Sequence, residues 1–222
     1  MIYNCASHIG KVRKNNEDYC KGEIIDTDFG SVGIFALADG MGGHNKGEVA
    51  SKLAVENIIE FLKENLLQSS NIKIDYIDDI IKQADHNVKN NLYVANVGDS
   101  RCYLLNENGF NKITIDHSVV EELVKANIIT EEEAKTHPRR NHITRAIGTD
   151  EMVIVDIFKK QIDAGNKILL TSDGLTGFVD DNTIKDTLLK DEDVNDLTKE
   201  LINTANDVSG RDNISVILIE EK

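Results

Sequence analysis

Tryptophan is absent from the 222 residues, proline occurs once (Pro138), and aromatic side chains make up only 5%. Cysteine is also scarce: Cys5, Cys20 and Cys102. Three thiols at no metal-ligand spacing exclude a disulfide scaffold and a structural zinc site, and they read as reduced cysteines. With no Pro/Ser-rich tract and no internal repeat, nothing suggests a linker, and residues 1–222 are expected to form one domain. Basic residues are the minority charge, 25 against 39 acidic, for a net −14. Such a balance repels phosphate backbones and anionic headgroups, so neither nucleic acid nor membrane is an expected partner. No apolar run approaches the roughly 20 residues that span a bilayer. Met1-Ile2-Tyr3-Asn4-Cys5 lacks the basic-then-apolar form of a signal peptide, so a cytoplasmic location is expected.

What the chain does have is enough apolar residues, 40%, to bury a sizeable core. Strand-like runs occur at Glu23-Ile24-Ile25 and Val32–Leu37. Ala50, Ala54, Ile58, Phe61 and Leu62 recur at helical spacing, as do Ile77, Ile80, Ile81, Ala84 and Val88. A hairpin region follows: Leu92–Val97, a corner at Gly98-Asp99-Ser100, then Cys102–Leu105 and a turn at Asn108-Gly109. Thr130 with Glu133 forms a capping-box pattern that opens a short helix. Strands return at Met152–Phe158 and Lys167–Leu170. A helix carries Val194, Leu197, Leu201 and Ala205, and Asn213–Ile219 closes as a strand. Clustered strands and helices without regular βαβ alternation predict an α+β fold with antiparallel sheets covered by helices.

The acids fall at strand ends. Asp39 ends an apolar run and precedes Gly40-Met41-Gly42-Gly43-His44. Asp99 lies in Asn96-Val97-Gly98-Asp99-Ser100-Arg101, Asp173 ends Leu170-Thr171-Ser172, and Asp212 lies in Gly210-Arg211-Asp212-Asn213. Any one of them alone reads as a turn, since Asp-Gly is a common hairpin signal. Together they read as a site, because carboxylates on one rim of a sheet suit hard cations such as Mg²⁺ and Mn²⁺.

These segments, with Gly47-Glu48-Val49-Ala50-Ser51 and the opening Gly10-Lys11-Val12-Arg13 and Asn16-Glu17-Asp18, resemble the motifs of metal-dependent serine/threonine protein phosphatases of the type 2C class, bacterial branch. Five matches in the family's order span Gly10 to Asn213. The resemblance implies two packed antiparallel β-sheets, a β-sandwich flanked by helix pairs on both outer faces. It implies two or three divalent cations, Mn²⁺ or Mg²⁺. Asp39 would bridge two of them, Gly40 would offer its carbonyl, Asp173 and Asp212 would hold the second, Asp18 would act through water, and Asp99 would serve a third, weaker site. Arg13 matches the phosphate-binding arginine. The implied reaction is hydrolysis of phosphoserine and phosphothreonine in proteins by a metal-activated bridging water, without a covalent intermediate. Phosphorylated Ser/Thr proteins, and by analogy a cognate kinase, are the implied partners of a monomer.

Two departures stand out. Met41 occupies the position where many relatives carry a proton-donating histidine; His44 follows three residues later and reads as structural, as do His117, His137 and His142. Arg101 reads as support for the Asp99 corner and Arg145 as packing. One central strand implied by the resemblance is also missing between Asn91 and Leu92. That absence supports a second expectation: a catalytically silent regulatory relative that binds metal or phosphoprotein.

Overall fold

A computed structural model describes residues 1–27, 30–41, 46–67, 90–150 and 152–222. Its centre is a five-stranded antiparallel sheet in the order β1 (Ile2–His8), β9 (Ile214–Glu220), β8 (Lys167–Thr171), β5 (Arg101–Asn106), β6 (Gly109–Lys112). The sequence of β9, Ile-Ser-Val-Ile-Leu-Ile-Glu, is apolar on both faces because both faces are covered. Ile214, Val216 and Leu218 pack with Leu197, Leu201 and Ala205 of α6 (Val194–Val208). The alternate residues Ile217 and Ile219 pack with the opposite layer. Asp193 caps α6, its side chain accepting from the backbone N–H of Asn195 and Asp196.

The second layer consists of two antiparallel ladders. β2 (Tyr19–Thr27) pairs with β3 (Gly30–Ala38), and β4 (Asn91–Asn96) pairs with β7 (Asp156–Gln161). Both ladders lay side chains on the same inner cluster: Cys20, Phe35 and Leu37 from one, Leu92, Val94 and Phe158 from the other. Among the described residues no ladder joins β3 to β4, and Leu37, Val94, Asn96, Arg101, Cys102 and Leu170 line a cleft between them. The two packed antiparallel layers expected from the sequence are therefore present, and among the described residues the second is interrupted between β3 and β4.

Helices cover the outer faces. α5 (Asp181–Leu188) and α6 lie against the five-stranded sheet, and α1 (Gly47–Leu67) lies on β2 and β3. The helix expected over Ile77–Val88 falls outside the described residues. Two expectations need correction. The face that α1 buries is Gly47, Ser51, Val55 and Ile59; of the expected Ala50, Ala54, Ile58, Phe61, Leu62 stripe, Leu62 packs on this face, whereas Ala50 and Ile58 are exposed. Both stripes carry apolar residues at helical spacing, and the bulkier Val55/Ile59 pair fills the space over Ile34. Nor does β4 form a hairpin with β5: the two belong to different layers, and Gly98-Asp99-Ser100 is the crossing between them. The β5–β6 hairpin at Asn108-Gly109 forms as expected, and α3 (Glu131–Thr136) opens on the expected Thr130/Glu133 capping box. It follows α2 (Val119–Lys125), whose N-cap is Ser118.

Candidate active site

The register of the central sheet gathers the acidic segments at one end. His8 is opposite Ile214, Thr171 opposite Val216, and Arg101 opposite Thr171. The exits of β1 and β8 and the entries of β5 and β9 therefore share a rim, which takes in Asp18, Asp99, Asp173 and Asp212. Asp39 joins it from the end of β3, where the Gly40 N–H donates to the Glu17 carbonyl at 3.1 Å. A Cβ at Gly40 would lie 2.4 Å from that carbonyl oxygen and 2.5 Å from the Gly47 carbonyl oxygen, so only glycine fits this junction.

Two polar residues that the sequence alone did not single out hold the rim together. Asn213 accepts from the Glu17 N–H at 2.8 Å and donates to the carbonyls of Ile9 and Asn15, at 2.9 and 3.0 Å. Buried Ser172 donates to Asp18 Oδ2 at 2.7 Å and accepts from the Ser215 N–H at 3.0 Å. Their only sequence signal is adjacency: each stands next to a candidate ligand. Asp173 starts the four-residue helix α4 (Asp173–Thr176), whose Gly174 packs directly on the Asn213 backbone.

The carboxylates crowd one another. Desolvation, followed by the charges of Asp18, Asp173 and Asp99, pushes Asp39 up to about 9. Asp39 still meets solvent, so the crowding of like charges is the firmer cause of that direction. Burial and then Asp212 raise Asp173 to about 6, and burial and then Asp173 raise Asp99 to about 6. Buried Asp18 is also raised, chiefly by desolvation, against the lowering effect of its Ser172 hydrogen bond. Arg13, exposed at the rim, donates from Nη2 to Asp212 Oδ2 at 2.8 Å. The predicted set Arg13, Asp18, Asp39, Gly40, Asp99, Asp173 and Asp212 thus lies on one rim. Met41 is exposed beside it, and His44 falls outside the described residues.

Among the described residues no three acidic, histidine or cysteine side chains stand together closely enough to hold a metal ion between them. An open carboxylate rim still fits hard divalent cations, which keep several waters in their shell. The unbalanced negative charge is what such ions would neutralise.

The protein phosphatase 2C family model matches residues 6–106. The serine/threonine phosphatase stp of Listeria welshimeri serovar 6b is 35% identical over 235 residues, covering 95% of this chain and 92% of that protein. Among solved structures, the S. agalactiae serine/threonine phosphatase gives a TM-score of 0.82 at 30% identity, covering 100% of this chain and 99% of that one. The catalytic domain of the serine threonine protein phosphatase PstP, in complex with 2 manganese ions, gives 0.77 at 30% identity, covering 99% and 97%. The chain belongs to the protein phosphatase 2C family, and its class is that of the serine/threonine protein phosphatases. The alignment to the Listeria protein runs over 235 positions against 222 residues here, so at least 13 of its positions have no counterpart in this chain. No helix among the described residues is long and apolar enough to cross a membrane.

The crowded rim sets a stability profile. Carboxyls whose folded pKa lies above the ordinary value near 4 make the folded state hold more protons than the unfolded one. Stability of the cation-free protein therefore falls as pH rises above about 4, through the values near 6 of Asp99 and Asp173 towards that near 9 of Asp39. Melting temperature in chelator is expected to decline from pH 5 to pH 9, and saturating Mn²⁺ is expected to remove most of that decline. A chelated protein with a flat profile would contradict the crowding.

Proposed function

We propose that this chain hydrolyses phosphoserine and phosphothreonine in proteins by direct attack of water, using two or three divalent cations, Mn²⁺ or Mg²⁺. The observation that carries the reading is the convergence of five aspartates and one arginine on a single rim. In this assignment Asp39, the Gly40 carbonyl, Asp173 and Asp212 hold the cations, Asp18 acts through water, and Asp99 with Asp173 holds a weaker third. Bound divalent cations supply water acidified towards neutrality as the nucleophile and neutralise phosphoryl oxygens.

The chain's own groups do the rest. Ser172 and Asn213 keep Asp18 and the loop before it fixed while the carboxylates carry charge. Cys102 is buried, so it offers no accessible covalent nucleophile. Arg13 presents a planar fork to two non-bridging phosphate oxygens once it parts from Asp212. Met41 has no proton to give, so the leaving alkoxide takes its proton from water. The working setting is that of a cytoplasmic monomer opposing a serine/threonine kinase.

Release of phosphate from a phosphothreonine peptide is expected with added Mn²⁺ and is expected to stop in excess chelator. Undiminished turnover in chelator would defeat the cation reading, whereas Mn²⁺ binding without turnover would assign the chain as a silent regulatory relative. Arg13→Ala is expected to reduce kcat/KM by about 10- to 100-fold, the worth of one or two charge-assisted hydrogen bonds, mostly through KM. An unchanged KM would remove Arg13 from phosphate binding.

A further inference from the structure

We propose that His117 is the positioning residue of the Asp99 corner, holding that carboxylate in reach of Asp173. The proposal rests on the cation reading above and adds a residue to it. His117 grips the backbone of Gly98 twice. The Gly98 N–H donates to His117 Nδ1 at 3.0 Å, and the His117 N–H donates to the Gly98 carbonyl at 2.9 Å. Gly98 has φ of +112°, a conformation that side-chain-bearing residues rarely adopt, and the corner needs it to turn the chain from one layer to the other. Asp99 is the next residue, and its charge acts on Asp39, while that of Asp173 acts on Asp99 in turn.

The ring is anchored on its other side. With Nδ1 committed as an acceptor, Nε2 of the neutral imidazole carries the hydrogen and donates to Asp156 Oδ2 at 3.1 Å. Asp156 is held by Arg145, whose Nη1 donates to Oδ1 at 2.8 Å and to the Ile154 carbonyl at 2.9 Å. Asp156 is also the β7 partner of Asn96, whose side chain donates to the Gly98 carbonyl at 3.3 Å. The loop is thus closed through covalent chain, ladder and imidazole, with His117 only 5% exposed.

The same residue ties this corner to the base of the 119–142 segment. The His117 carbonyl accepts from the Thr144 N–H at 2.8 Å, and the Val119 N–H donates to the His142 carbonyl at 2.9 Å. Few side chains accept at one position and donate at another across that span. Asparagine reproduces the Nδ1 acceptor and glutamine reproduces the outer donor, so the two substitutions separate the ring's two jobs.

The test is Mn²⁺ binding to the protein without substrate, by calorimetry and by electron paramagnetic resonance, with Asp99→Asn as the reference for loss of the weakest site. His117→Gln, which releases Gly98, is expected to weaken that site roughly tenfold, while His117→Asn stays within about threefold of the unsubstituted protein. Asp156→Asn, which leaves the Gly98 grip intact, is expected to behave like His117→Asn. The Mn²⁺ concentration for half-maximal activity is expected to rise in His117→Gln while kcat at saturating Mn²⁺ changes less than about threefold. His117→Gln binding like the unsubstituted protein, or His117→Asn as weak as His117→Gln, overturns the proposal while the cation reading stands. An unsubstituted protein that binds no Mn²⁺ overturns both. Should His117→Gln fail to fold, a weakest site lost in His117→Asn or Asp156→Asn overturns it equally.

Discussion

Asp39→Asn is expected to lower kcat by at least about 10³-fold while making the cation-free protein melt higher. The two effects share one cause. Asp39 stands among Asp18, Asp173 and Asp99, and burial together with their combined charge raises its carboxyl to about 9. Asparagine keeps the shape and removes the charge, so the repulsion disappears along with the ligand. Paired melting curves in chelator and in Mn²⁺ separate the effects: the substituted protein is expected to gain in chelator and to lose most of the Mn²⁺-induced rise. A substituted protein that melts lower in chelator would mean that Asp39 is a structural acid with favourable partners. Retention of full turnover would defeat its place at the centre of the site.

Gly174→Ala carries the second large effect. A Cβ at this position would stand 1.8 Å from the Asn213 carbonyl oxygen and 2.8 Å from its carbon, both backbone atoms that cannot rotate away. The strand entry at Ile214 must shift or the start of α4 must lift. Either movement separates Asp173 from Asp212, because Gly174 follows one and Asn213 follows the other. Overpacking of this kind costs about 3 kcal/mol, and a displacement near 1 Å at a reacting centre costs about 10²-fold in rate. Denaturant midpoints and kcat/KM report the two losses separately. An Ala variant with unchanged midpoint and rate would show that the contact between these loops yields without consequence.

The parts of the site legible in the sequence are those where one residue type announces itself by position. Asp39, Asp99, Asp173 and Asp212 could be read because each interrupts or borders an apolar run, and carboxylates at strand ends converge whenever the strands share a sheet. Local chemistry was equally readable: Thr130 and Glu133 form their capping box from residues three apart. What resisted reading depends on partners distant in sequence. Asn213 reaches Ile9, Asn15 and Glu17, about 200 residues away, and its place beside Asp212 says nothing of those partners. The Arg13–Asp212 pair and the Ser172–Asp18 bond are hidden in the same way. A β4–β5 hairpin is the wrong expectation because a Gly-Asp corner looks the same whether the chain folds back in one layer or crosses to another; layer choice is made by Ile217, Ile219 and Phe158, which the corner does not contain. For α1, two apolar stripes compete, and the packing of Val55 and Ile59 on Ile34, a partner distant in sequence, decides between them.

The pairing of β1 with β9 has a consequence for how the molecule comes into being. Ile2 lies opposite Glu220, so β1 waits for a strand made more than 200 residues after it. β9 is also the strand that joins β1 to β8, and its side chains are the buried contacts of both core clusters. Until that segment emerges, the α6 face and the second layer have no shared surface to close on, and their apolar residues remain open to association with other chains. Such long-range closure favours slow, late and cooperative folding. Asp212 precedes β9, so the acidic rim is completed as β9 closes the sheet, and a chain that has not reached β9 holds no complete rim.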